Sequence, residues 1–271
     1  MPPPANRPIV LVLTLQAQCH SATDVADLHR PSTWEKLHEY AGRVIVVVGQ
    51  PLYHAIDEGA GVEGLPARIA LAASLHARSV QLVGKAGEDP AGDAVVLALA
   101  RGGVGHVALL RDAGMPTPRF VQVVEPGPSE MNEALVEDDP GADHGSVESA
   151  AVLEAADVDL ALRYLTEFAV LVLADCADPE IVGVAAAAAS WAEARLIVVV
   201  AAGEAEPAGL PPDAIVFEAP DADPDGVFAA MVGSFAAALD DGDDPAVAFR
   251  SSVAAAGWAP SSGDMMPEPE G

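Results

Sequence analysis

Val80–Gln–Leu–Val–Gly84–Lys–Ala–Gly–Glu–Asp89–Pro–Ala–Gly92–Asp93 is the stretch that decides the fold. An apolar β-branched run leads into a glycine turn, and Asp89–Pro90 then opens a helix. Proline at the first helical turn forfeits no hydrogen bond, because that N–H has no intrahelical acceptor. The helix is expected over Pro90–Arg101, with Gly102 taking the left-handed conformation just past its end. A second apolar run, Val107–Leu110, follows, and then Met115–Pro–Thr117–Pro–Arg–Phe–Val–Gln–Val–Val124 with its prolines ahead of another strand.

The same alternation extends outward in both directions. Strands are expected at Ile9–Leu15, Val44–Val48, Val80–Val83, Val107–Leu110, Phe120–Val124, Ala169–Leu173, Leu196–Val200 and Ala214–Phe217. Between them lie alanine-rich helical stretches: Pro31–Tyr40, Leu65–His76, Pro90–Arg101, Ser149–Ala156, Val158–Glu167, Pro179–Ala194, Asp225–Leu239 and Pro245–Ala256. Near-continuous apolar strands suit burial on both faces, so the expected fold class is α/β: a central, mostly parallel sheet with helices on both sides. Glu125–Ser149, with proline, glycine and eight acidic residues, reads as a long solvated loop or hairpin. Ala259–Gly271 has no periodicity and reads as a disordered tail after a single domain spanning residues 1–258.

The succession over Leu65–Val124 resembles the N-terminal half of the ribokinase-like (PfkB) sugar and nucleoside kinases. Phe228–Gly257 resembles that family's last two helices. The resemblance implies a ribokinase-like fold, with part of residues 16–61 forming a small lid. It also implies phosphorylation of a sugar or nucleoside hydroxyl with ATP and Mg2+ as cofactors. In that family an Asp takes the proton of the substrate hydroxyl, and N–H groups at a helix N-terminus cradle the transferred phosphate. Carried onto this chain, the catalytic turn is Ala219–Pro–Asp221–Ala–Asp223–Pro224–Asp225–Gly226. Asp225 is then the candidate base, and Gly226 and Val227 the anion hole.

This turn departs from the family's Gly-Ala-Gly-Asp. The family's Asp position falls on Gly226, Pro224 has no N–H, and three aspartates sit where phosphate should be attracted. Like charges at such distances oppose triphosphate binding. Three readings of the turn stay open: a helix cap by Asp223 or Asp225, a surviving catalytic base, or a metal site. On the substrate side Gly64 retains the family's turn, while Arg68 stands where the family has a sugar-binding Asn. Gln50, Tyr53 and Asp57 complete the candidate substrate residues. The family's Asn-x-x-Glu, which helps to organise Mg2+ and phosphates, has no clear counterpart. Two functional classes follow: a kinase of weak turnover, or a catalytically inactive relative kept for ligand binding or dimerisation, with a homodimer as a candidate partner state. A dinucleotide-binding enzyme is disfavoured, because Gly102–Gly103–Val–Gly105 follows a helix and not a strand.

Composition narrows the partners. The 271 residues carry 41 acidic against 13 basic side chains, a net charge of −28, and Lys36 and Lys85 are the lysines. Such a field repels nucleic acid and anionic membranes, so a small-molecule substrate is the expected partner. Cys19 and Cys176 are too few for a disulfide scaffold, Met1–Arg7 lacks a basic-then-apolar leader pattern, and a cytoplasmic setting is expected. Two origins of the acidity stay open: adaptation to a salty cytoplasm and codon bias. Self-repulsion among carboxylates that is relieved by salt should make the melting temperature rise from low salt to about 1 M KCl. A flat or falling melting curve series would assign the acidity to codon usage.

Overall fold

Side chains alternating between the two faces of near-continuously apolar strands build two cores, one on either side of a single sheet. In the computed structural model, residues 44–56, 59–77, 79–120, 150–165, 167–175 and 178–258 are described. The expected strand Ile9–Leu15, the helix Pro31–Tyr40, the lid residues before Val44, the loop Glu125–Ser149 and the tail Ala259–Gly271 lie outside them. So do Val121–Val124 of the strand expected after Arg119.

Strands β1 (Val44–Val48), β4 (Val80–Gly87), β7 (Phe168–Ala174), β8 (Arg195–Val200) and β9 (Ile215–Glu218) pair in parallel. Two short strands, β5 (Val104–Gly105) and β6 (Leu109–Asp112), both pair with β4, and the order is β5-β4-β1-β7-β8-β9. A separate antiparallel pair, β2 (Leu52–Ile56) and β3 (Gly59–Glu63), follows β1. Ile45 and Val47 pack with helices α1 (Leu65–Ser74), α2 (Pro90–Arg101), α5 (Val227–Asp240) and α6 (Pro245–Ala256). Val46 and Val48 point the other way, into a core closed by α3 (Ala155–Tyr164) and α4 (Pro179–Ala192). This period-2 partition is why the strands are apolar at nearly every position.

Strand order reverses at β1, which sends the chain to β4 on one side and receives β7 on the other. In open parallel sheets the crevice outside such a switch point is where ligands bind. Gly49 ends β1 there, and a Cβ on it would overlap both Pro66 Cγ and the Ala174 carbonyl. The N-terminus of α1 and the ends of β1 and β7 therefore meet at a position that admits no side chain.

Several element bounds differ from expectation, for local reasons. Of the helix expected over Ser149–Ala156, residues 150–154 are not helical: the Ala151 N–H donates to Pro116 O (2.9 Å) and the Leu153 N–H to Gln50 Oε1 (3.0 Å). The helix starts instead at Ala155, where Glu154 and Asp157 form a reciprocal capping box, and it ends at Tyr164. Gly102 has φ −79°, and the left-handed residue is Gly103 at φ +76°. Gly102 is needed for space, since a Cβ would run into Leu71 Cδ2. Val107 is exposed and outside any strand, and of the run Val107–Leu110 only Leu109 and Leu110 are extended, in β6. The helix expected from Asp225 begins at Val227.

Helices α1 and α5 touch backbone to backbone: a Cβ on Gly233 would lie 2.7 Å from Ala73 N and 2.9 Å from Ile69 O. Gly183 on α4 is the opposite case, with nothing within 4 Å of its Cβ position. Gly233→Ala should therefore cost about 1–3 kcal/mol through overpacking, despite the better helix former. Gly183→Ala should gain up to about 1 kcal/mol. Urea denaturation of the two variants checks both signs.

Candidate functional site

The α1–α5 contact brings the N-termini of both helices to the crevice end of the sheet. Gly64 caps α1 at φ +93°, and Gly226 caps α5 at φ +71°. Both values lie in the region that glycine enters without steric cost, so the turn glycines have a conformational reason to be there. Between the two helix ends stands Arg68. Its Nη1 donates to the Asp223 carbonyl and its Nη2 to the Pro224 carbonyl at 3.2 Å, while Nε lies 4.0 Å from Glu63 Oε2. A Cβ on Gly226 would come within 2.9 Å of Arg68 Nη2, so the guanidinium lies directly over the turn.

The acidic turn closes on itself. Asp223 reaches past Pro224 and Asp225, and its carboxylate accepts the N–H groups of Phe228 (3.1 Å to Oδ1) and Ala229 (3.0 Å to Oδ2). These are donors at the positive end of the helix, where an anion is stabilised. The Gly226 N–H donates to the Asp223 carbonyl at 3.2 Å. Of the two N–H groups expected to form an anion hole, that of Gly226 is thus taken within the turn. Asp225 is exposed and precedes the helix, and Asp221 is exposed as well.

The expected substrate residues separate into different roles. Gln50 Nε2 donates to the carbonyls of Lys85 and Pro51, while its Oε1 accepts from Leu153. Its amide ties β1 to β4 and to the approach to α3. Tyr53 pairs through its backbone with Pro118 and Phe120, and its ring carries the Arg119 guanidinium 5.1 Å from its centroid. Asp57 lies outside the described residues. Arg68 and Gly64 are brought to the turn; the Gln50 amide bonds to backbone groups and the Tyr53 ring lies against Arg119.

Two charged centres were not singled out from sequence. Asp89 caps α2 through Gly92 N–H (2.8 Å), and it also accepts the Thr117 hydroxyl (2.5 Å) and the Thr117 N–H (3.0 Å). Burial pushes its carboxyl up, but the bonds from Thr117 and Gly92 and the charge of Arg119 outweigh this and hold it at about 2. This centre fixes the 115–120 segment, whose Pro118 and Phe120 in turn hold β2. The Asp-Pro cap was visible in sequence, whereas its partner 28 positions away was not. Lys85 forms the second centre, 3.0 Å from Asp157 and 3.7 Å from Asp112. The hydrogen bond to Asp157 raises its pKa against the effect of burial, helped by neighbouring carboxylates.

No family profile matches the chain, and no curated protein matches it in sequence. Its structure is similar to a ribokinase from Giardia lamblia, at TM-score 0.53 and 16% identity over 79% of this chain and 93% of that one. A candidate ribokinase II from E. coli, solved with ATP and Mg2+, matches at TM-score 0.53 and 13% identity, covering 79% and 91%. A protein named Sa239 matches at 0.54 and 12%, covering 84% and 97%. The fold is ribokinase-like, an α/β architecture with a mostly parallel sheet, as the residues of Leu65–Val124 had implied.

Asp89 gives the site region a signature in acid. Its folded value of about 2 lies below the ordinary 3.8, so its contribution is complete above roughly pH 4 and is lost as pH falls through about 2. Asp89→Asn should be less stable near neutral pH and should show a shallower loss of stability between about pH 4 and pH 2. Urea midpoints across that range measure it; parallel curves for the two proteins would remove Asp89 as the anchor.

Proposed function

We propose that this chain is a ribokinase-like protein that does not transfer phosphoryl groups, a sugar-kinase fold retained for binding. One observation carries this reading: the Asp223 carboxylate accepts the Phe228 and Ala229 N–H groups at the start of α5. They adjoin the Gly226 and Val227 N–H groups that the resemblance assigns to the transferred phosphate, so a fixed internal anion already holds this helix end. Arg68 supports the same reading, because its guanidinium spans the gap between the substrate side and the turn and spends two donor nitrogens on backbone carbonyls.

ATP with Mg2+ fits this arrangement poorly. Asp221 and Asp225 add exposed negative charge beside the occupied helix end, and among the described residues no three His, Cys, Asp or Glu side chains converge to hold a metal. Lys85, the one lysine among the described residues, is committed to Asp157 and Asp112. The expected partner remains a small molecule, since a net charge of −28 opposes nucleic acid and anionic membranes. Among the described residues no helix is long and apolar enough to cross a membrane. A cytoplasmic setting fits these features.

The competing reading makes Asp225 the general base, with Val227 and a vacated Gly226 N–H holding phosphate. It requires the Asp223 carbonyl to release the Gly226 N–H and the Asp223 carboxylate to move off the helix end. ATP–Mg2+ presented with a panel of sugars and nucleosides, followed by coupled turnover and thermal shift, separates the two. Neither turnover nor stabilisation by ATP is expected of the native chain. Turnover that Asp225→Asn lowers by about 10²–10⁴-fold, while Asp223→Asn preserves or raises it, would establish the kinase instead.

A further inference from the structure

On the sheet face opposite α5, a groove of about 560 Å3 runs between α3 and α4. Both helices lead into strands that run side by side, α3 into β7 and α4 into β8, with Val170 opposite Arg195. Their C-terminal ends therefore lie at the same edge of the sheet. Arg163 and Trp191 line the groove at that end, and Glu180 lines it at the other, about 16 Å away along α4. Trp191 is 77% exposed, an unusual cost for the largest apolar side chain. The floor between the two ends is small and open: Gly183, with no atom within 4 Å of its Cβ position, and Ala187 one turn on.

A knob, a socket and charges of opposite sign at opposite ends lie on one surface. Rotating a second copy by a two-fold axis across α4 sets the helices antiparallel. Each Trp191 would then lie over Gly183 of the partner subunit, and each Arg163 would face Glu180 of the partner subunit. Arg163 keeps its own Asp159 at 2.6 Å, so its guanidinium would bridge two carboxylates. Such self-complementarity is what an isologous interface requires. We propose that the α3–α4 groove is the site at which two copies of this chain pair, with α4 packed antiparallel against α4. The inference is independent of whether the turn before α5 is catalytic. Repulsion between two chains of charge −28 opposes the pairing, so it should be strongest where salt screens the long-range field.

Sedimentation velocity of the full chain in about 1 M KCl, at tens of micromolar, is the test. A dimer is expected. Trp191→Ala should weaken it by at least about 30-fold, the scale of an interface anchor. Gly183→Leu should abolish it while leaving the melting temperature at or above that of the native chain, which separates blocked docking from misfolding. Arg163→Glu and Glu180→Arg should each weaken pairing, and the double variant should recover it. A monomer under these conditions would overturn the proposal. So would a dimer indifferent to Trp191→Ala and Gly183→Leu, or a double charge reversal no tighter than the single changes.

Discussion

The close crossing of α1 and α5 is the constraint from which the candidate site follows. Gly233 lets the α5 backbone settle against Ala72, Ala73 and Ile69. With the axes locked there, the first turns of both helices face the same end of the sheet. Arg68 then has little choice of neighbour, and the carbonyls of Asp223 and Pro224 are what it meets. A larger residue at position 233 would press directly on the α1 backbone at Ala73 and Ile69.

That geometry also sets which aspartate caps α5. Three aspartates within five residues could suggest a cation site, a base or a cap. Which of them caps the helix depends on which carboxylate reaches its end. Pro224 fixes its own φ and disfavours helix at Asp223. The chain then turns through Gly226 in a left-handed conformation, which brings Asp223 back under the first turn while Asp225 stays in solvent. The residue nearest to the helix in sequence is thus not the one that caps it.

The legible part of the chain was the part governed by local rules. Pro90–Arg101 and Pro245–Ala256 matched their expected bounds, because Asp-Pro starts and glycine-rich ends are encoded within a few positions. The parallel sheet was legible from strand composition. The split of Val104–Asp112 into two short strands was not, since it depends on which residues β4 has left to pair. The helix expected at Ser149–Ala156 failed for a related reason: distant acceptors at Pro116 and Gln50 take the N–H groups of Ala151 and Leu153. At the candidate site, Arg68 and Gly64 were singled out by the family resemblance. The carbonyls that Arg68 binds lie some 155 positions away, and no local pattern records such a pairing.

Lys85 carries a consequence for the chemistry that other molecules can perform on this protein. It is the one lysine among the described residues, and its side chain is 15% exposed. Its ammonium is held protonated between Asp157 and Asp112. Acylation and conjugation at lysine need a free, uncharged amine that can approach an electrophile. Across the described surface of this fold, no such amine is on offer. Amine-directed tags, cross-linkers and modifying enzymes would find the ribokinase-like body almost inert, whatever they do elsewhere on the chain.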